Sequence, residues 1–235
     1  MTRKGKLYTA GLFYVLWLAL IVLLCLADRQ PAAAGDTMIG LASLNTRFAI
    51  AVAGLNGSRG VDGSIGLSMQ LYKLTEYLGY FSLLIAACFA LLGFVQLLRR
   101  RSLKKVDKQL LAMGGLFIVL AVLYVFFEKV IVNYRPIIMP GESGPEASFP
   151  SSHTMLTFVI LGSVCMVLKK YVKNPALCAL LRVLCVLLIL AMVVGRLMCG
   201  CHWLTDILGG VLVSLALLAL FSAVIETGDN SNLNS

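Results

Sequence analysis

Six apolar runs, each long enough to cross a lipid bilayer, constrain this chain more than any other feature of its sequence. They lie at residues 7–27, 77–98, 110–132, 153–168, 177–198 and 205–225. A helix of about 20 apolar residues spans the hydrocarbon core, and a helix satisfies its own backbone hydrogen bonds there. The sequence therefore predicts an all-α polytopic membrane protein with six transmembrane helices.

The composition argues against an ordinary soluble domain of this size. Of the 235 residues, 60% are hydrophobic and 13% are charged, against about 45–50% apolar and about 25% charged residues in typical soluble proteins. The length predicts a single domain, residues 1–235. The first apolar run is too long for a removed signal peptide and lacks a clear cleavage site, so we expect it to remain as an anchor.

The net charge of +9 is concentrated in clusters beside the apolar runs, at residues 3–6, 99–108 and 169–182. Basic residues next to membrane spans favour the cytoplasmic side. We therefore expect both termini in the cytoplasm and an outer face built from residues 28–76, 133–152 and 199–204. The same distribution leaves no soluble basic face for nucleic acid, so no nucleic-acid partner is expected.

The outer segment 28–76 contains a short apolar stretch, residues 38–53, that Asn45 and Arg47 interrupt. This pattern predicts an interfacial amphipathic helix after the first span. Two roles remain open. The helix either rests on the membrane surface, which we favour, or covers a site and admits lipid from the side.

Polar residues that a bilayer disfavours stand at the outer ends of the last four spans, and such residues usually mark function. The first cluster is Lys129 and Arg135, followed by Pro136. Proline biases the preceding residue away from helical geometry, so Arg135 is expected to project from the helix end. Lys129 can reach the same surface with its long side chain. Either residue alone is also explained as an interfacial anchor.

The second cluster is Pro150, Ser151, Ser152 and His153, directly before the fourth span. It predicts a helix start with Ser151 or Ser152 as the N-cap. The N–H groups of a helix start bind anions readily. A well-capped helix explains the serines but not a histidine in the first turn, where the helix dipole disfavours its protonated form unless an anion is near.

The third cluster joins Gly195 and Arg196 to His202 and Asp206. The last two residues are four apart, so they would share one face of a helix. A carboxylate in that place can fix the imidazole tautomer and leave the other nitrogen free as a nucleophile or base. Taken alone, the spacing equally fits a structural His–Asp pair.

In combination and in this order, the three clusters resemble the signature of the type 2 phosphatidic acid phosphatase superfamily of membrane lipid phosphatases. The family pattern is Lys–spacer–Arg-Pro, then Pro-Ser-Gly-His, then Ser-Arg, five residues, His, three residues and Asp. The matching motifs span residues 129–206, and the six-span layout extends the resemblance over most of the chain.

The chain departs from the family pattern at three positions. The Lys-to-Arg spacer is five residues instead of six, so Glu128 takes the expected lysine position and Lys129 is rotated by about 100° on a helix. Ser152 replaces the glycine of the second motif. Gly195 replaces the serine of the third, which removes a phosphate donor that Ser152 could supply instead.

The resemblance implies an enzyme, a phosphoric ester or anhydride hydrolase acting through a phosphohistidine. His202 would be the nucleophile, Asp206 would orient it, and His153 would protonate the leaving group and then activate water. Arginine forks bind phosphate oxygens bidentately. The phosphate would be bound by Arg135, Arg196, Lys129, Ser151 and Ser152. No cofactor or metal is expected, because the cationic side chains replace a metal ion.

Several alternatives stay open at this stage. A lipid phosphate transporter or flippase, a phosphotransferase, or a catalytically inactive relative could use the same pocket. A zinc site at Cys199, Cys201, His202 and His153 has suitable ligand types, but the spacing closes a tetrahedron poorly and nearby arginines would repel a cation. The seven cysteines are an odd number and imply no disulfide framework.

The expected substrate is a lipid phosphate whose tails stay in the membrane while its headgroup enters a site at the outer face of the plasma membrane. Phosphatidic acid, phosphatidylglycerol phosphate and a polyprenyl diphosphate are the candidates. We favour the polyprenyl diphosphate, as in an undecaprenyl-diphosphatase-like enzyme, because an outer site suits recycling of that carrier. The loop at residues 137–149 is expected to form a lid or rim.

Overall fold

A computed structural model describes residues 1–31, 37–59 and 64–230 of the chain. For residues 227–230 it describes the backbone only. Two short strands pair antiparallel, Gln30–Pro31 with Met38–Ile39. Seven α-helices make up most of the described residues. They are α1 (Arg3–Leu26), α2 (Ala42–Leu55), α3 (Met69–Arg100), α4 (Lys108–Lys129), α5 (Ser152–Tyr171), α6 (Pro175–Met198) and α7 (Leu204–Asn230).

Six of these helices are long and apolar enough to cross a membrane: α1, α3, α4, α5, α6 and α7. The predicted all-α fold with six spans is therefore confirmed. The largest boundary difference is in α3, which begins at Met69, whereas the predicted span starts at residue 77. The additional turns mix polar and apolar residues, and they extend α3 past the apolar run.

The six long helices alternate in direction, so their termini fall into two groups. At one end, Lys6 of α1 forms an ion pair of 3.0 Å with Glu226 of α7, and Asp107 before α4 lies 3.5 Å from Lys170 of α5. We call this the basic end. At the other, called the site end, α3, α5 and α7 begin and α1, α4 and α6 finish.

Helix α5 is the centre of the bundle and has the largest buried share of the six spans. It packs against α3, α4, α6 and α7. Its core residues are Met155, Val159, Ile160 and Leu161, each almost completely buried. The first turn of this central helix carries the polar residues Ser152, His153 and Thr154, which places them at the middle of the site end.

Helix α2 corresponds to the predicted interfacial helix, and the structure packs it onto the bundle. Asn45 is fully buried. Its amide nitrogen donates to Thr205 Oγ1 of α7 at 3.0 Å. Asn56, directly after α2, donates to the carbonyl of Met198 at 2.5 Å. The helix therefore covers the connection between α6 and α7, which corrects the favoured picture of a helix that only rests on the membrane. The stretches 32–36 and 60–63 of this predicted segment lie outside the described residues.

Candidate active site

The three sequence clusters converge at the site end of the bundle. Arg135 lies in the loop after α4, and Ser152 and His153 form the first turn of α5. Arg196 is in the last turn of α6. His202 lies in the connection to α7, and Asp206 is in the first turn of that helix.

The loop that carries Arg135 folds back on itself. Tyr134 and Ala147 form an isolated antiparallel bridge, and the Arg135 backbone N–H donates to the Glu146 carbonyl at 3.1 Å. The Trp203 indole donates to the Tyr134 carbonyl at 2.6 Å. The Arg135 backbone is thereby fixed against the α6–α7 connection, and its guanidinium lines a small polar cavity with His202 and Ser152.

His202 and Asp206 are linked through a hydroxyl group. The distance from His202 Nδ1 to Asp206 Oδ2 is 3.7 Å, too long for a direct hydrogen bond. Ser148 Oγ lies 3.3 Å from His202 Nδ1 and donates to Asp206 Oδ2. The same carboxylate oxygen accepts from the Trp203 N–H at 2.8 Å. This arrangement favours a proton on Nδ1 and leaves Nε2 as the free nitrogen.

The surroundings of His202 keep its imidazole neutral. Burial lowers the pKa of His202 well below its usual value, and the positive charges of Arg135 and Arg196 lower it further. An unprotonated Nε2 has a lone pair available for attack, so this environment suits a nucleophile.

Arg196 is held by three different groups. Its Nη2 lies 2.5 Å from Glu76 Oε1 of α3, its Nη1 lies 3.5 Å from Cys201 Sγ, and its guanidinium carbon stands 5.2 Å from the centre of the Tyr72 ring. The side chain is 1% exposed. A buried guanidinium needs such partners, because an uncompensated charge is expensive away from water.

The start of α5 also faces the site. Ser151 is the N-cap residue, with Ser152 as the first helical residue, and the Ser151 N–H donates to the Asp206 carbonyl at 3.0 Å. His153 Nε2 lies 3.1 Å from Glu76 Oε1. The first turn of α5 thus presents free N–H groups and an imidazole at one point.

Several buried polar atoms at this end have no hydrogen-bond partner among the described residues. They include Arg135 Nη1, Arg196 Nε, Ser151 Oγ and His202 Nε2. More than nine in ten buried polar groups are normally paired, so each such atom needs an explanation. Two guanidinium donors and a neutral imidazole nitrogen together suit an anion with an electrophilic centre.

Two cavities meet at Ser152 and Tyr124, which line both. The smaller is polar, has a volume of about 20 Å³ and contains Arg135 and His202. The larger has a volume of about 490 Å³ and is bordered by Glu76 and His153 at one end and apolar side chains of α3, α4 and α5 elsewhere. The larger cavity therefore has a polar end and an apolar remainder.

The family model described as the PAP2 superfamily matches residues 118–228, which contain all three predicted motifs. These residues, somewhat less than half of the chain, are similar to the PAP2 superfamily. This confirms the family that the motifs predicted, and at the level of the family the protein is a phosphatase, a phosphoric ester hydrolase.

The fold of this chain is also similar to a solved structure. That structure is described as the crystal structure of the first transmembrane PAP2 type phosphatidylglycerolphosphate phosphatase from Bacillus subtilis. The TM-score is 0.58 at 17% sequence identity, over 95% of this chain and 97% of the other. At that identity the likeness establishes a common fold. No curated protein sequence matches the chain.

Lys129 differs from the other predicted phosphate ligands, all of which are at least partly buried. It is exposed at the end of α4 and does not line the small polar cavity, whereas Glu128 does. The reason is the shortened spacer, because one residue on a helix turns the side chain by about 100°. A carboxylate therefore occupies the cavity wall at the position of the family lysine.

The glycine that replaces the motif serine has a packing explanation. A Cβ at Gly195 would lie 2.5 Å from Thr75 Cγ2 of α3, closer than side chains approach one another. A serine at this position requires α3 to move. Ser152 of α5 lines both cavities, so a hydroxyl is present in the site from another helix.

Sequence reasoning missed two residues of the site, Ser148 and Glu76. Nothing in the sequence distinguishes Ser148 from other loop serines. Glu76 did carry a signal, because it is the only acidic residue between positions 63 and 106 and directly precedes an apolar run. A charged group at the end of a span usually faces the bundle interior.

Cys199 and Cys201 are buried free thiols, and their sulfur atoms lie 3.0 Å apart. The hydrogen bond from Cys201 lowers the pKa of Cys199 to about 7. The same bond raises the pKa of Cys201. Among the residues that the structure describes, no three His, Cys, Asp or Glu side chains are arranged to hold a metal ion, so the zinc alternative has no ligand set there.

Proposed function

We propose that the protein hydrolyses a lipid phosphate through a phosphohistidine intermediate on His202. The observation that carries this proposal is that Arg135 Nη1, Arg196 Nε and His202 Nε2 are all buried and unpartnered, with both arginines near enough to His202 to lower its pKa. A phosphoryl group supplies both the negative oxygens that the arginines require and the phosphorus atom that an imidazole attacks.

The reaction follows in two balanced steps. The Nε2 lone pair of His202 attacks phosphorus, the P–O bond to the leaving group breaks, and His153 gives its proton to the departing oxygen. Water then loses a proton to His153 and attacks the phosphohistidine, and the P–N bond breaks to release phosphate. Ser148 and Asp206 hold the Nδ1 proton of His202 throughout.

Charge stabilisation in this scheme comes from the chain itself. Arg135 and Arg196 contact the phosphate oxygens, and the first N–H groups of α5 together with Ser151 and Ser152 complete the cradle. Preorganised donors in a buried site commonly contribute 10²–10³-fold in rate for each donor. Lys129 has no part in the cradle, given its exposed position.

The larger cavity supports a lipid substrate. It joins His153 and Glu76 to apolar side chains such as Leu83 and Leu156, so a headgroup can reach the polar end while its chains remain among apolar side chains. A solved structure with the same fold is described as a phosphatidylglycerolphosphate phosphatase. Phosphatidylglycerol phosphate therefore belongs in any substrate panel beside phosphatidic acid and a polyprenyl diphosphate.

We further propose that the site end faces away from the cytoplasm in the plasma membrane. The basic clusters lie at the opposite end, where positive residues favour the cytoplasmic side. In intact cells with Cys25 and Cys88, the exposed native thiols, replaced by serine, a membrane-impermeant maleimide is expected to label Ser143→Cys at the site end and to leave Ser102→Cys at the basic end unlabelled. The reverse labelling would refute this orientation.

The central test is hydrolysis of these lipid phosphates by purified protein in detergent with EDTA present. Phosphate release is expected from at least one of them and is expected to fall by at least 100-fold in His202→Ala and His153→Ala. Alkaline quenching, which preserves the acid-labile P–N bond of phosphohistidine, followed by detection of the phosphorylated protein in His153→Ala, tests the intermediate. Activity that disappears with EDTA, or that survives His202→Ala, would contradict the mechanism.

The same experiment separates the remaining alternatives. A flippase or transporter releases no phosphate from any substrate in the panel. A phosphotransferase releases little phosphate in the absence of an alcohol acceptor and forms a phosphorylated product when one is added. Product analysis by mass spectrometry distinguishes these results from hydrolysis.

A further inference from the structure

Helix α3 lies outside the three motifs, yet it contributes a carboxylate to the site. Glu76 Oε1 lies 3.1 Å from His153 Nε2 and 2.5 Å from Arg196 Nη2. One oxygen atom thus joins the imidazole that is expected to move protons to one of the guanidinium groups expected to bind phosphate. The Glu76 side chain is mostly buried, so this bridge is not a loose surface ion pair.

The backbone of α3 is adapted to this contact. A Cβ at Gly79 would lie 2.7 Å from His153 Cδ2, so only glycine lets the imidazole lie directly against α3. Thr75 lies four residues before Gly79 on α3. Its side chain packs against α6 in the space left by the missing side chain of Gly195. Helix α3 therefore approaches His153 and Arg196 closely at two points, with Glu76 between those points.

The result is that each imidazole of the site has its own carboxylate. Asp206 serves His202 through Ser148, and Glu76 contacts His153 directly. A carboxylate that accepts from one ring nitrogen fixes the tautomer and the orientation of the ring. It also stabilises the positively charged imidazolium that donates a proton to a leaving group.

We propose that Glu76 is a positioning residue of the phosphatase, holding His153 for proton transfer and Arg196 for phosphate binding in a single geometry. This inference rests on the proposed function, because it assigns Glu76 a role in the same reaction. It extends the site beyond residues 129–206 to a helix that the motifs do not include.

The test compares Glu76→Gln and Glu76→Asp with Glu142→Gln, which removes an exposed carboxylate from the loop at the same end of the molecule. Glu76→Gln is expected to lower kcat by about 10-fold to 100-fold while KM changes by less than about threefold. Glu76→Asp is expected to recover part of the lost kcat. Glu142→Gln is expected to behave as the unmodified protein.

A second measurement separates positioning from simple occupation of the phosphate site. If Glu76 only competes with the substrate for Arg196, Glu76→Gln would keep its kcat and would be inhibited by inorganic phosphate at concentrations at least 10-fold lower than the unmodified protein. That result would overturn the proposal. An unchanged kcat of Glu76→Gln together with unchanged inhibition by inorganic phosphate would overturn it as well. A lowered kcat with equal or weaker inhibition by phosphate supports it.

Two controls keep the outcome interpretable. The Gln and Asp variants are compared with the unmodified protein by thermal denaturation in detergent, and a loss of kcat in Glu76→Gln that Glu76→Asp does not relieve counts against positioning. If the unmodified protein releases no phosphate from any lipid phosphate, the proposed function fails first. If it is active and Glu76→Gln is equally active, only the role of Glu76 fails.

Discussion

At the scale of residues, the site is a balance of opposite charges in a buried space. Two arginines and two histidines lie against Glu76, Glu146 and Asp206, and the exposed Glu128 lines the small polar cavity. Arg135 Nε lies 3.1 Å from Glu146 Oε2, although the angle leaves Nε without a hydrogen bond. These carboxylates offset the repulsion between cations that must lie close together to bind one phosphate.

The different positions of Lys129 and Arg135 lead to a direct prediction. Arg135→Ala is expected to lower kcat/KM by at least 100-fold, about 2.7 kcal/mol of transition-state stabilisation, because its guanidinium lines the polar cavity. Lys129→Ala removes an equal charge from an exposed position and is expected to change kcat/KM by less than threefold. Steady-state kinetics on the preferred lipid phosphate measures both. Equal losses in the two variants would restore Lys129 to the site.

The lowered pKa of His202 predicts how stability depends on pH. Between the lowered folded pKa and the ordinary value of about 6.5, the unfolded chain binds a proton that the folded chain does not. Unfolding therefore takes up a proton, and stability rises with pH through this window and levels off above it. The largest slope from one such group is about 1.4 kcal/mol per pH unit.

Thermal denaturation of the protein and of His202→Gln at pH 5 and pH 7.5 isolates this contribution. The unmodified protein is expected to lose more stability on acidification than His202→Gln, because glutamine does not titrate. An identical shift in both proteins would show that other groups cause the acid sensitivity.

At the scale of elements, the connection between α6 and α7 depends on segments that are distant in sequence. Helix α2 reaches Thr205 through Asn45, and Ser68 before α3 donates to the Cys199 carbonyl at 2.9 Å. The loop after α4 is held by Trp203. A short connection that carries the proposed nucleophile is thus held rigidly by three other parts of the chain, which favours a preorganised site.

Replacement of Asn45 tests the importance of the α2 contact. Asn45→Ala removes the hydrogen bonds to Gly40 and Thr205 and is expected to destabilise the protein by about 1–3 kcal/mol. For a chain of this length, that corresponds to a fall in Tm of roughly 2–12 °C. Arg47→Ala, at an exposed position of the same helix, is the control and is expected to leave Tm within 1–2 °C. Equal Tm values for both variants would show that α2 adds little to the bundle.

At the scale of the whole molecule, the bundle places a polar site at the end of an apolar cavity between α3, α4 and α5. Leu83 and its neighbour Leu84 are both exposed on α3, but only Leu83 lines that cavity. The two positions form a matched pair, because the same substitution narrows the cavity at one and not at the other.

Leu83→Trp is expected to raise KM for a long-chain lipid phosphate by about 10-fold, a cost of about 1.4 kcal/mol, because the larger ring fills the space proposed for the chains. A short water-soluble phosphate ester is expected to be hydrolysed by this variant as by the unmodified protein. Leu84→Trp is expected to affect neither substrate. Equal effects of Leu83→Trp on both substrates would place the lipid chains elsewhere.

The sequence by itself determined the all-α fold, the six spans and the resemblance to the PAP2 superfamily, and it named eight candidate site residues, all of which lie at one end of the bundle and all but Lys129 of which are at least partly buried. These follow from local rules, since apolar length defines a span and motif spacing defines which side chains stand at helix ends. The exposed position of Lys129 has a local reason as well, because one residue of helical rotation places Glu128 at the cavity wall instead.

Only the tertiary structure decided how the groups are connected. The Ser148 bridge between His202 and Asp206, the contact of Glu76 with both His153 and Arg196, and the packing of α2 over the α6–α7 connection join residues 54 or more positions apart. No local pattern encodes such contacts, because they depend on how closely helices approach. That distance is set by small residues such as Gly79 and Gly195, whose effect appears only when the opposing helix is in place.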